Sequence, residues 1–128
     1  MSYGNICICE YREMMGTDQQ LNEELTQLHA DFCYALADTR RLLLIYALCQ
    51  GPRNVSDLTE YCGFSQPSVS RHLKILRERG LVRSDRRGTT VEYSLADMRL
   101  IEALDLLRAI MRDQWAHRAE IIGTAEEA

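Results

Sequence analysis

"SQPSVSRHLKILRERGLVRSDRRGTT", residues 65–90, carries seven basic side chains and two acidic ones inside a chain of net charge −4. The remaining 102 of 128 residues therefore hold −9, so charge is segregated along the chain. Ser65 is placed to cap a helix with Pro67 in its first turn, where a missing N–H costs nothing, and Gly80 ends that helix. Val69, Leu73 and Leu76 share one helical face and turn inward, while Pro67, Ser70, Arg71, Lys74 and Glu78 turn outward. After Gly80 the period becomes alternating: "LVRSD", the turn "RRGT" and "TVEYSL" read as a hairpin with Gly88 in its turn.

Upstream lies "VSDLTEYC", a short helix capped by Asn54 or Ser56 and closed by Gly63. The turn "GFS" joins it to the basic helix, which makes a helix-turn-helix followed by a wing. Before it, "RRLLLIYALCQ" forms a helix capped by Asp38 or Thr39 and stopped at Gly51 and Pro52. Leu21, Leu25, Leu28, Phe32 and Leu36 fall at the spacing of a buried helical stripe ending near Ala37, with Cys33 as a small apolar core residue. Asp97 caps a last helix from about Met98 to Ile122. Its stripe Leu100, Leu104, Leu107, Met111 and Trp115 is too long for so small a domain to cover, so part of it meets another subunit. The expected architecture is mainly α with a two-stranded β wing, a winged helix-turn-helix. Residues 1–18 form an arm, 19–123 the DNA-binding and dimerisation domain, and 124–128 a tail.

Length suits one domain with its own core. The start has neither the basic flank nor the apolar run of a signal peptide, and no window reaches about 18 apolar residues, so a cytoplasmic protein with no membrane partner is expected. Five cysteines in that compartment serve packing, metal binding or redox chemistry. No cysteine sits in a Cys/His motif, and there is no Gly-rich phosphate loop or HExxH pair, which argues against an enzyme.

The basic stretch instead suits DNA. Gln66, Ser68, Ser70 and Arg71 crowd the N-terminal half of the exposed helix, where short polar groups approach base edges and an arginine reaches guanine or phosphate. His72 and Lys74 join that set, and the hairpin adds Arg83, Arg86 and Arg87. A solvated, salt-bridged face or a winged helix used only for protein contacts are the competing readings.

The run "ALADTRRLLLIYALCQGPRNVSDLTEYCGFSQPSVSRHLKILRERGLVRSDRRGTTVEYSL" resembles the ArsR/SmtB family of bacterial winged-helix repressors, over roughly residues 20–120. Its most specific parts are "ALADTRR", "FSQPSVSRHLKILRERGLV" and "RRGTTVEYSL". The resemblance implies a homodimer through the first and last helices, with Leu25 and Phe32 joining the last-helix stripe in the interface. It also implies an imperfectly palindromic double-stranded operator and repression relieved by an inducer.

Family members sense through different ligand sets. The Cys-x-Cys common before "DL" is replaced by Asn54 and Ser56, and the last-helix positions hold Asp97, Arg99, Ile110 and Asp113, a poor zinc or nickel set. Asp113, His117 and Glu120 read as a solvated helix end, and His29 is single, as is His72. Cys7 and Cys9 project to one side of an extended arm. Trivalent arsenic or antimony prefers three thiolates. Similarity to some arsenic-sensing members implies Cys49, just before the "GP" turn, as the third, with Cys62 in reserve; all four would suit cadmium, lead or zinc. The rival is thiol oxidation or persulfidation. No cofactor is expected for folding.

Overall fold

The structure, a computed structural model, describes residues 17–127. Helix α1 runs Asp18–Leu28, widens into a π-helical turn over His29–Cys33 and closes with Tyr34–Leu36. Then come α2 (Thr39–Leu48), β1 (Arg53–Asn54), α3 (Val55–Cys62), α4 (Gln66–Glu78), β2 (Val82–Arg87), β3 (Thr90–Leu95) and α5 (Arg99–Glu127). The expected caps settle as follows: Asp38 accepts from the Arg40 N–H at 2.8 Å, Asn54 from Asp57 at 2.8 Å, and Asp97 from Arg99 at 2.9 Å. Each satisfies a backbone donor that the first helical turn leaves unpaired.

One core joins the elements. Leu44, Ile45 and Leu48 of α2 meet Leu58 of α3, Val69, Leu73 and Leu76 of α4, and Leu81 and Val82 entering β2. Only the first turns of α5 reach it, through Ile101 and Leu104. Tyr46 Oη adds a hydrogen bond across to Asp105 at 2.7 Å, with the Arg108 guanidinium over its ring.

The sheet has one strand more than the hairpin alone. Arg53 and Asn54 pair antiparallel with Tyr93 and Glu92, giving the order β1-β3-β2. Two residues carry no periodicity, so this strand leaves no trace in the sequence. The hairpin registers Val82 with Leu95 and Arg87 with Thr90, leaving Gly88–Thr89 as the turn. Gly88 has φ 65°, the positive value that a two-residue II′-type turn needs at its first position.

Several burial expectations change. Leu25, Leu28 and Phe32 of the α1 stripe are exposed in the single chain. Cys33 is exposed as well rather than part of a core: two positions from Ala35, the buried residue of that segment, it lies on the other side of the helix. It borders an apolar groove with Leu36, Leu42, Tyr46, Leu107 and Met111. Leu104 is 8% exposed and belongs to its own chain's core, so it is not free for a second subunit. Helix α5 continues to Glu127, through most of the segment expected to be a tail, and is about 43 Å long at the α-helical rise. Beyond Leu104 it exposes Leu106, Leu107, Ile110, Met111, Trp115, Ile121 and Ile122. Among the described residues no helix is long and apolar enough to cross a membrane.

Leu73 is fully buried at the meeting of α2 and α4. Leu73→Ala should lower the unfolding free energy by about 2–5 kcal/mol, read as a reduced urea midpoint at unchanged slope.

Candidate nucleic-acid interface

Helix α4 begins where Ser65 Oγ accepts from the Ser68 N–H at 3.4 Å, with Pro67 in the first turn. Its inner row is buried in the core described above, which fixes the outer row by the helical period. Gln66, Pro67, Ser70, Arg71, Lys74 and Arg77 are all exposed along that row. Lys74 lies 4.0 Å from Glu78, a solvated i,i+4 pair worth little. Arg71 makes no ion pair among the described residues, so its guanidinium is available to an external acceptor.

Ser68 and His72 leave the expected DNA-facing set. Both are 6% exposed, one turn apart on the flank of the Val69–Leu76 seam. His72 Nδ1 lies 3.3 Å from Arg41 Nη1, and neither Ser68 Oγ nor His72 Nε2 has a protein partner among the described residues. Arg41 is itself the residue that the sequence reading overlooked. It begins the series Arg41, Leu44, Ile45, Leu48, whose i, i+3, i+4, i+7 spacing places it on the buried face of α2. Its Nε donates to the Ala35 carbonyl at 2.6 Å and its Nη2 to the Tyr34 carbonyl at 3.2 Å, so the buried charge is well supplied with acceptors.

On the wing, Arg83, Arg86 and Arg87 are exposed, but they are not equivalent. Arg83, Asp85 and Arg87 alternate onto one face, and Glu92 stands opposite Asp85 in the register. Arg87 Nε thus sits 3.5 Å from Asp85 and 3.6 Å from Glu92, which offset its charge. Arg86 points to the other face and makes no ion pair among the described residues. Arg83 lies near Asp97, whose carboxyl is lowered to about 2, chiefly by the side-chain hydrogen bond from Arg99.

Cys49 caps the end of α2 and packs half-buried against the core; Cys62, the last residue of α3 before its Gly63 cap, is half-buried against the core as well. Burial pushes the Cys62 thiol up, which opposes the thiolate that a soft ion needs. Among the described residues no three His, Cys, Asp or Glu side chains gather as a metal site. Cys7 and Cys9 lie outside the described residues.

Comparison with known proteins gives a consistent result. The family model "Bacterial regulatory protein, arsR family" matches residues 38–84. The HTH-type transcriptional regulator NmtR of Mycobacterium tuberculosis is 41% identical over 83 residues, which span 65% of this chain and 68% of that protein. The arsenical resistance operon repressor of Bacillus subtilis is 39% identical over 79 residues, 61% of this chain and 75% of that one. Among solved structures, the homodimeric winged helix-turn-helix DNA-binding domain of Mb0332 from Mycobacterium bovis superposes with a TM-score of 0.68 at 28% identity. That match covers 80% of this chain and 94% of the other.

Proposed function

The chain belongs to the arsR family of bacterial regulatory proteins, and from that membership we propose that it represses transcription by binding a palindromic DNA operator as a homodimer and is released by an inducer. The carrying observation is the two-sidedness of α4: one face is sealed into the core and the other presents Gln66, Ser70, Arg71 and Lys74, with Arg83 and Arg86 on the adjoining wing. Amide and hydroxyl groups there suit base edges, and the exposed guanidiniums suit guanine or phosphate. Arg87 is the weaker contributor, since Asp85 and Glu92 already offset it.

The test uses a duplex selected by the protein itself from a random-sequence library, against a scrambled duplex. Ser70→Ala and Arg71→Ala should weaken binding to the selected duplex by about 1–3 kcal/mol more than to the scrambled one. Arg86→Ala should weaken both and reduce the salt slope by about one. Salt-independent binding, or equal losses on both duplexes for the α4 variants, would favour a protein-docking module instead.

A dimer is supported by the apolar residues that the single chain leaves exposed on α1 and along α5: Leu25, Phe32, Leu107, Met111 and Trp115, with half-buried Leu100 at the margin. A two-fold pair would set the two α4 helices about 34–36 Å apart, one turn of DNA. Leu107→Asp should yield a folded monomer by sedimentation, because Leu107 is 61% exposed and contributes little to the protomer's own core. A folded variant that stays dimeric would put the interface elsewhere.

For the inducer we favour trivalent arsenic or antimony held by Cys7, Cys9 and Cys49, with Cys62 in reserve. Support comes from the thiol chemistry of such ions and from similarity to a repressor of arsenical resistance. Cys7→Ser/Cys9→Ser should leave DNA binding intact and abolish release by arsenite. Release by arsenite unchanged from wild type would refute this ligand set, and release by peroxide but not arsenite would point to thiol oxidation.

A further inference from the structure

Arg41 stands at a junction of three helices. From α2 its guanidinium donates to two carbonyls at the end of α1, those of Tyr34 and Ala35, and its Nη1 lies 3.3 Å from His72 Nδ1 on α4. A guanidinium has donors only. The Nδ1 atom must therefore accept, which makes the His72 ring neutral with its proton on Nε2. Both side chains are more than nine-tenths buried, so this bond is shielded from water.

A second guanidinium joins α4 to α1. Arg79, the C-cap of α4, donates to Asp31 Oδ1 at 3.1 Å and to the Ala30 carbonyl at 3.2 Å, both in the π turn of α1. The Tyr34 ring lies within reach of both arginines, 5.7 Å from Arg41 and 4.8 Å from Arg79. Helix α1 also exposes Leu25, Leu28 and Phe32.

We propose that Arg41 is a positioning residue whose bond to neutral His72 fixes α4 against α1, and that protonating His72 releases α4 and lowers selectivity for DNA. The inference rests on the DNA-binding reading above. A proton on Nδ1 would set two donors against each other in a buried space. The charged groups around the ring are Asp38, Arg40 and Arg41 from the start of α2 and Arg71 beside it on α4. Burial lowers the His72 pKa from its usual value of 6.5, Asp38 opposes that shift, and the three arginines reinforce it. The Arg41 bond is therefore fully present above pH 6.5 and is lost as pH falls through the lower folded value.

Two measurements test the clamp. Long-range proton–nitrogen NMR of the DNA-free protein at neutral pH should show a neutral His72 protonated on Nε2; a proton on Nδ1 would overturn the proposal whether or not DNA binds. In the second, the ratio of affinities for the selected and scrambled duplexes is followed between about pH 7.5 and 5, the window in which imidazole changes charge. The wild-type ratio should drop roughly tenfold, the size of one charge-assisted hydrogen bond. His72→Asn, whose Oδ1 can accept from Arg41 but cannot titrate, should hold its ratio constant. Parallel curves for the two folded proteins would overturn the clamp alone. If wild type shows no selectivity at pH 7.5, the DNA-binding reading falls and the clamp's role in it falls too. Should His72→Asn not fold, the tautomer on wild type decides.

Discussion

The seam between α2 and α4 is the constraint on which everything else depends. Leu44, Ile45 and Leu48 bury against Val69, Leu73 and Leu76, and a helix sealed along one row has no choice about which row it presents outward. Full burial of a leucine or isoleucine side chain stabilises by roughly 1.5–3 kcal/mol, several times what the wet Lys74–Glu78 pair on the outer row can supply. The outer residues are accordingly relieved of any structural duty. Gln66, Ser70 and Arg71 can be spent on recognition because the fold does not need them.

That division explains what the sequence made legible. Caps at Asp38, Asn54, Ser65 and Asp97, the glycine after α3 and the alternation of the wing are local signals, and each found its place. Several of the misassignments concern residues whose surroundings are set by elements distant in sequence. Ser68 and His72 sit on the flank of the buried row, where helical phase alone leaves inward and outward open; Arg41, 31 positions from His72, decides the matter. Strand β1 exists only because Arg53 and Asn54 meet Tyr93 and Glu92. The α1 stripe has the spacing of a core, yet among the described residues Leu25, Leu28 and Phe32 are left exposed.

The wing shows how charge counting misleads when geometry is ignored. Three arginines in a hairpin look equivalent in sequence, but strand alternation places Arg87 between Asp85 and Glu92 and turns Arg86 away from both. The segregation of charge remains the larger effect. With −9 on the rest of the chain, a polyanion is repelled from most approaches and admitted chiefly where α4 and β2 present their arginines, so the acidic balance itself restricts orientation during encounter.

The positions of Arg41 and Arg79 also bear on how a signal at one end of such a molecule reaches the other. Coupling between sites in regulatory proteins is typically about 1–3 kcal/mol, and a single hydrogen bond to a charged group contributes about 1.5–3 kcal/mol. One buried guanidinium that binds α1, α2 and α4 at once is therefore sufficient in magnitude. The Arg79–Asp31 contact, a third exposed on each side, contributes less through solvent screening. Its value is geometric: α4 is tied to α1 near its middle through Arg41 and at its C-terminal end through Arg79. On the inference above, a second subunit that shifts α1 would act on α4 through those two attachments.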